Sequence, residues 1–374
     1  MAQETSITAY RNVLEQYEFN DLARRLARTE GAGAFAEGDV RRALAKTAGE
    51  RDTDDFLALL SAAARPFLGE MESEARRLTR EVWKGTVCLF APLYLSNTCK
   101  TVCTYCGFAN GKPIKRRTLT MAEIEAEGRI LHARGIRRLV LLTGEDYTAT
   151  PVSYLADACR ALAGSFPTLK LEVYPLQEAD YVELAQAGAT GVICYQETYE
   201  RSRYGVVHMR GMKRKYDHRL DCLDRAARAG IRELSPGALL GLSDPSADTF
   251  FAGMHARYLR DNYKDVEVTI SLPRLRPAAG FDEVPLVPDP LYMQMLFAVR
   301  LFLPNARLVL STREPPELRA YLSSVCIDFM SAEASVAPGG YSGGDSGEQF
   351  SLGDHSSVEQ VVGMLAQNGL QAIF

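Results

Sequence analysis

No apolar run in this 374-residue chain approaches the ~20 residues needed to cross a bilayer. Its opening, MAQETSITAY, has no basic patch followed by an apolar core, so no secretory leader is expected. An excess of positive charge is also missing: the net charge is −4, which argues against a general nucleic-acid binder. Internal repeats and low-complexity tracts are absent. Cysteine is too sparse for a disulfide scaffold, at eight in the chain, and five of these (Cys88, Cys159, Cys194, Cys222, Cys326) are scattered in apolar settings. They read as buried free thiols, which implies a reducing cytoplasm.

What remains is the composition of an ordinary globular protein, 47% hydrophobic and 24% charged, long enough to bury a large core. Residues 1–84 carry no strand signal. LARRLART, DVRRALAKTA, DDFLALLSAAA and ESEARRLTREVW place apolar residues three and four apart, so an N-terminal helical extension is expected there. From residue 85 to 374 strands and helices alternate. Strands are expected at 86–96, 137–145, 169–176, 191–198, 233–243, 266–276, 306–314 and 326–332. Helices are expected at 121–134, 152–164, 178–187, 217–229, 247–262, 289–302, 315–324 and 356–368. Near-continuous apolar strands imply burial on both faces of a parallel sheet. Eight such units predict an α/β fold closed as a (β/α)8 TIM-type barrel, with its active site at the C-terminal strand ends. The glycine-rich PGGYSGGDSGEQF, 338–350, reads as a flexible loop.

The densest chemistry lies in FAPLYLSNTCKTVCTYCGF, 90–108, where Cys99, Cys103 and Cys106 are spaced C-x3-C-x2-C. Three thiolates can converge on one metal site, one short of the four that normally hold an iron–sulfur cluster. A structural zinc site wants four ligands, and no fourth Cys or His follows nearby. Tyr105 precedes the third cysteine, where its ring could pack on a cofactor.

This motif resembles that of radical S-adenosylmethionine (SAM) enzymes. With LYLSN before it and CGF after it, the stretch is similar to the aromatic amino-acid lyases, the branch that includes 2-iminoacetate synthases of thiamine biosynthesis. KRRTL, LTGE, YQETY, GLSD, PRLRP, LSTRE and PGGY follow in the tyrosine-lyase order. The resemblance implies a [4Fe-4S] cluster on Cys99, Cys103 and Cys106, with SAM chelating the open iron. It implies that Gly144 and Glu145 meet the SAM amino group and that Glu172 meets its ribose or methionine part. Gly237 and Gly241 match a pattern that holds adenine, with Asp244 where the family has Glu. Tyr195, Gln196 and Glu197 end strand 4 within YQETY. Of these, Gln196 and Glu197 are expected to face the pocket, near SAM or the substrate. Arg274 or Arg276 is expected to border the site.

By the same resemblance Arg313 is the clamp for the substrate carboxylate, a role that suits a guanidinium fork. Ser331 stands where related enzymes place a hydroxyl, and His255 where one would reach a phenol. The implied reaction is radical Cα–Cβ cleavage of tyrosine to 2-iminoacetate and p-cresol. The nearest alternative is a tryptophan lyase or another aromatic amino-acid radical SAM lyase of specialised metabolism, and the alternative of another class is a non-catalytic iron–sulfur electron carrier or a zinc-stabilised binding protein. A second cluster of the hydrogenase-maturation kind would need more cysteines, and only Cys326 follows Cys222. Implied partners are a thiazole synthase and a flavodoxin- or ferredoxin-type reductant.

Overall fold

The computed structural model describes residues 10–11 and 14–374. The first nine residues, read above for a leader, lie outside the described part. The first helices whose bounds the described residues give are α1 (Phe19–Ala27), α2 (Glu37–Ala45), α3 (Thr53–Leu60) and α4 (Leu68–Trp83). Asp52 starts α3 by accepting from the Asp55 amide while the Asp55 carboxylate accepts from the Asp52 amide, a reciprocal capping box.

Eight parallel strands follow: β1 (Thr86–Ser96), β2 (Arg138–Thr143), β3 (Thr168–Glu172), β4 (Gly191–Ile193), β5 (Glu233–Ser235), β6 (Glu267–Ser271), β7 (Arg307–Leu310) and β8 (Phe329–Ser331). Each pairs with its neighbour, and β8 returns to β1 with Cys88 opposite Phe329, so the sheet closes. The expected TIM-type barrel is present. Between and after the strands lie α5 (Met121–Ala133), α6 (Val152–Ala163), α7 (Glu178–Gln186), α8 (Arg201–Val207), α9 (Tyr216–Leu220), α10 (Cys222–Arg228), α11 (Pro245–Asn262), α12 (Asp289–Phe302), α13 (Pro316–Ser323) and α14 (Val358–Gln367).

Strand periodicity explains the two layers of core. Along β1, Leu89, Ala91, Leu93 and Leu95 join the large core under the helices, while Phe90, Pro92 and Tyr94 point into the barrel. The N-terminal helices pack on the outside of this wall. Gly253 of α11 lies so close to the Phe56 ring that a Cβ there would stand 2.6 Å from it.

Three features depart from the sequence reading. The helix expected at 217–229 is broken into α9 and α10 at Asp221, which sits between them outside helical geometry and accepts a hydrogen bond from Arg11. A ninth strand, β9 (Gln371–Ile373), pairs with the start of β1. Most strands also leave the ladder earlier than expected. Beyond Ile193 and Ser235 the pairing resumes only as single bridges, such as Glu197 with Ala238 and Leu240 with Arg274. Those freed ends build the barrel mouth.

Candidate active site

Two adjoining cavities occupy the mouth and interior of the barrel. The outer one, about 70 Å³, is lined by Cys99, Cys103 and Cys106, by Thr143, Gly144 and Glu145 at the end of β2, and by Glu197, Lys213 and Arg219. The inner one, about 90 Å³, is walled mostly by apolar side chains and contains Tyr195, Arg313 and Ser331. Tyr94, Leu142, Glu172 and Gln349 line both, so the two form one continuous site.

The cysteine loop is held from below and above. Gly144 allows the end of β2 to touch it: a Cβ there would lie 2.2 Å from the Thr98 carbonyl oxygen. Above it, Val102 and Cys103 pair with the short strand His208–Arg210. The three thiols face one cavity, although among the described residues no three His, Cys, Asp or Glu side chains converge as a single ion requires. Three cysteines lining one cavity match the donor set of an iron–sulfur cluster short of one protein ligand. Burial pushes the Cys103 thiol up to about 12, and a bound metal is what would make it a thiolate.

The polar groups around this cavity fit the remaining parts of SAM. Glu145 accepts from Arg219 through Oε1 at 3.2 Å, while its buried Oε2 and the neighbouring Thr143 Oγ1 have no hydrogen-bond partner among the described residues. An acceptor pair of this kind suits an ammonium group. Arg219 also reaches Glu197 at 3.3 Å, and Lys213 pairs with Glu197 at 2.7 Å. Although burial opposes its charge, Lys213 and then Arg219 hold the Glu197 carboxyl down to about 2. Lys213 and Arg219 were not singled out from sequence. Lys213 belongs to the basic run MKRK, whereas Arg219 reaches in from α9 with no motif to mark it.

Period two decides the YQETY segment. Tyr195 lines the inner cavity and Glu197 the outer one, while Gln196 between them points away and donates to the Tyr216 carbonyl at 3.4 Å. The expectation that Gln196 faces the pocket is therefore corrected. Glu197 also has φ of 72°, a left-handed backbone that a side chain adopts only under surrounding constraint.

The inner cavity holds a cation with no counter-charge in contact. Arg313 makes no ion pair among the described residues, and its guanidinium lies 3.4 Å from the centroid of the Phe350 ring. Desolvation lowers its pKa, opposed by Tyr94 and Glu172. Glu172 is exposed only to the cavities, and burial followed by the charge of Glu197 raises its carboxyl to about 7. Ser331 Oγ accepts from the Thr312 amide at 3.0 Å and so fixes the end of β7.

Several expected residues lie elsewhere. His255 is on α11, outside the barrel, with Nδ1 3.0 Å from the Tyr199 hydroxyl and its ring stacked on Tyr10 at 4.4 Å. It lines neither cavity, and its ring is packed against the Tyr10 and Tyr199 side chains outside the barrel. Gly237 supports the back of Tyr195, where a Cβ would lie 2.6 Å from that ring. Gly241 turns the chain at φ 106° against Leu275. Neither lines a cavity, but the flanking Leu239 and Leu242 form an apolar cluster with Cys103 and Tyr105. Asp244 caps α11 by accepting from Ala247. Arg274 is engaged by Glu314 and Asp289, and Arg276 reaches the Ser351 carbonyl, so neither borders the cavity.

Two supports escaped the sequence. Tyr105 donates its hydroxyl to His208 Nε2 at 2.8 Å, because His208 Nδ1 faces the Tyr204 carbonyl and must carry the proton. The glycine-rich loop is not free. Asn97 donates to Gly347, Gly107 to Gln349, and Tyr94 to Gln349 Oε1 at 2.6 Å, which folds the loop over both cavities.

Residues 93–250 match the Radical SAM superfamily, and residues 271–371 match the Biotin and Thiamin Synthesis associated domain. The chain is 39% identical over 339 residues to the 2-iminoacetate synthase of Escherichia coli, covering 90% of this chain and 89% of that protein. It is 37% identical over 362 residues to the 2-iminoacetate synthase of Salmonella typhimurium, covering 96% and 94%. Among solved structures, the FeFe-hydrogenase maturase HydG from Carboxydothermus hydrogenoformans superposes with a TM-score of 0.87 at 29% identity, over 100% of this chain and 85% of that one.

Proposed function

This chain belongs to the 2-iminoacetate synthase family of radical SAM enzymes, and from that premise we infer that it is a carbon–carbon lyase acting on tyrosine. It cleaves the Cα–Cβ bond of L-tyrosine to give 2-iminoacetate and p-cresol, for thiazole formation in thiamine biosynthesis. When bound on Cys99, Cys103 and Cys106, the [4Fe-4S] cluster with SAM would supply the radical chemistry that breaks the bond. The chain's own residues bind, orient and enclose.

The observation that carries the assignment of residues is Arg313, a cation without an ion-pair partner beside the cavity lined by three cysteines. Arg313 receives the tyrosine carboxylate. This holds the amine toward the outer cavity, and it keeps the Cβ hydrogens out of the radical's reach. Glu172, at the junction, holds a proton near neutral pH and can donate a hydrogen bond to a polar group there. Cys99, Cys103 and Cys106 hold the cluster. Glu145 receives the SAM ammonium through its unpartnered oxygen, and Arg219 with Lys213 keeps Glu145 and Glu197 in place. Residues 85–374 form the catalytic barrel in this reading, and 1–84 an extension packed on its outside.

Two partners and a compartment complete the proposal. 2-Iminoacetate hydrolyses easily, so direct transfer to a thiazole synthase is expected, along with a flavodoxin- or ferredoxin-type reductant. An oxygen-labile cluster suits a reducing cytoplasm, and no helix among the described residues is long and apolar enough to cross a membrane. The test is to offer tyrosine and tryptophan in parallel to the anaerobically reconstituted protein with SAM and dithionite. Release of p-cresol and glyoxylate from tyrosine is expected. Formation of 5′-deoxyadenosine with turnover of tryptophan alone would overturn the substrate assignment.

A further inference from the structure

The thin cover above the cysteine loop carries the strongest unassigned surface. Among the described residues seven large apolar side chains are strongly exposed, and three of them fall in one short stretch: Val206, Met209 and Met212. That stretch lies directly on the cysteine loop. The Thr104 amide donates to the Val207 carbonyl at 3.0 Å, and Arg210 and His208 pair with Val102 and Cys103. Gly211, at φ 98°, sits so close to Thr101 that a Cβ would lie 2.7 Å from its side chain. Met209 and Arg210 are therefore one layer of chain from Cys103.

The unpaired charge around this apolar spot is basic. Of the six basic residues in 201–216, Arg201 pairs with Asp217 and Lys213 with Glu197, while Arg203, Arg210, Arg214 and Lys215 make no ion pair among the described residues. Arg210 and Lys215 are exposed and make no ion pair among the described residues. Arg214, also exposed, only donates to the Met209 carbonyl, at 3.3 Å. An apolar centre with a basic rim is the composition of a protein-docking patch, and methionines adapt to a transient partner.

We propose that the Val206–Lys215 segment is the docking surface for a small acidic one-electron carrier protein that reduces the cluster through the thin wall at Cys103. The inference rests on the radical SAM reading and adds the partner's place and charge. The electron balance requires such a carrier. Reductive cleavage of SAM to methionine and the 5′-deoxyadenosyl radical consumes one electron. The 4-oxidobenzyl radical left by Cα–Cβ cleavage takes one further electron and protons before it leaves as p-cresol. Neither SAM nor tyrosine supplies those electrons, so a carrier must dock and leave repeatedly. A salt-sensitive patch of modest size suits that traffic.

The experiment compares wild-type protein with the double variant Arg210→Glu/Arg214→Glu and with Met209→Asp, each carrying a reconstituted cluster. Bleaching of the cluster absorbance is followed after mixing with fully reduced flavodoxin, at low and high salt, and separately with dithionite. Binding of fluorescently labelled flavodoxin is measured alongside. We expect flavodoxin-driven bleaching and binding at low salt to fall about tenfold or more in the double variant, with the salt dependence flattened, while dithionite bleaching is unchanged. Equal flavodoxin rates in all three proteins would overturn the proposal, as would a loss shared by dithionite. A protein that fails to turn over tyrosine, yet still needs Arg210 and Arg214 for flavodoxin, would remove the substrate reading and leave the docking surface standing.

Discussion

The two cavities treat charge in opposite ways. In the outer one the ionised groups are already matched, with Arg219 between Glu145 and Glu197 and Lys213 on Glu197. In the inner one Arg313 stands without an ion pair against the Phe350 ring, and Glu172 is pushed toward its neutral form. A buried charge costs free energy unless something pairs it. The matched set is compensated without any ligand. The unmatched arginine is tolerable because the cavity admits a counter-charge, such as the carboxylate group of the proposed amino-acid substrate.

The contrast can be broken from the outer side first. Cys103→Ala should remove the cluster altogether, giving colourless protein after anaerobic reconstitution and no 5′-deoxyadenosine. Retained iron with SAM cleavage would take the cysteine loop out of the site. On the inner side, Arg313→Ala should lower kcat/KM for tyrosine by roughly 10²-fold or more, the scale for losing one partner of a desolvated charge pair. SAM binding, measured by calorimetry, should survive, and unchanged tyrosine affinity would refute the clamp.

Arg219→Ala leaves Glu145 without its counter-charge and Glu197 with Lys213 alone. A loss of about 3 kcal/mol in stability is expected, with weakened SAM binding. If denaturant unfolding moved by much less, the frame would not depend on this arginine. A smaller effect tests Glu172. In the folded chain it keeps its proton up to about pH 7, against 4.5 for the free side chain. Stability therefore falls as pH rises across that interval. Glu172→Gln should remove the fall, by up to about 3 kcal/mol, and parallel pH profiles for the two proteins would deny the burial effect.

The smallest expected effect is at His255. Burial holds its ring neutral down to about pH 3, so the wild type loses stability as pH drops below the usual 6.5. His255→Phe should lessen that acid sensitivity and leave tyrosine turnover within about twofold. A large drop in turnover would return His255 to the site despite its position outside the barrel.

Much of the fold was legible because it follows from repeating local patterns. Eight apolar runs alternating with helical ones leave few alternatives to a closed parallel barrel, and closure through β8 and β1 follows. The site was legible where chemistry is contiguous in the chain, as in the cysteine spacing, Thr143-Gly144-Glu145 and Arg313. It was not legible where direction matters. Gln196 and Glu197 are adjacent and equally polar, and only the strand register sends one out and the other in. His255 matched a family position, but its helix faces Tyr10 and the outer core. The glycine-rich loop read as flexible because its composition conceals the remote partners, Asn97, Gly107 and Tyr94, that tie it down.

By itself, then, the sequence determined the barrel, the three closely spaced cysteines and the arginine that follows β7, since these depend on periodicity and on residue types close together in the chain. Tertiary structure alone decided which charges are matched and which is left open. Arg219 meets Glu145 across 74 positions of chain, and Arg313 meets no ion-pair partner at all among the described residues. Ion pairing depends on distances of a few ångströms between remote segments, and no local pattern encodes those distances.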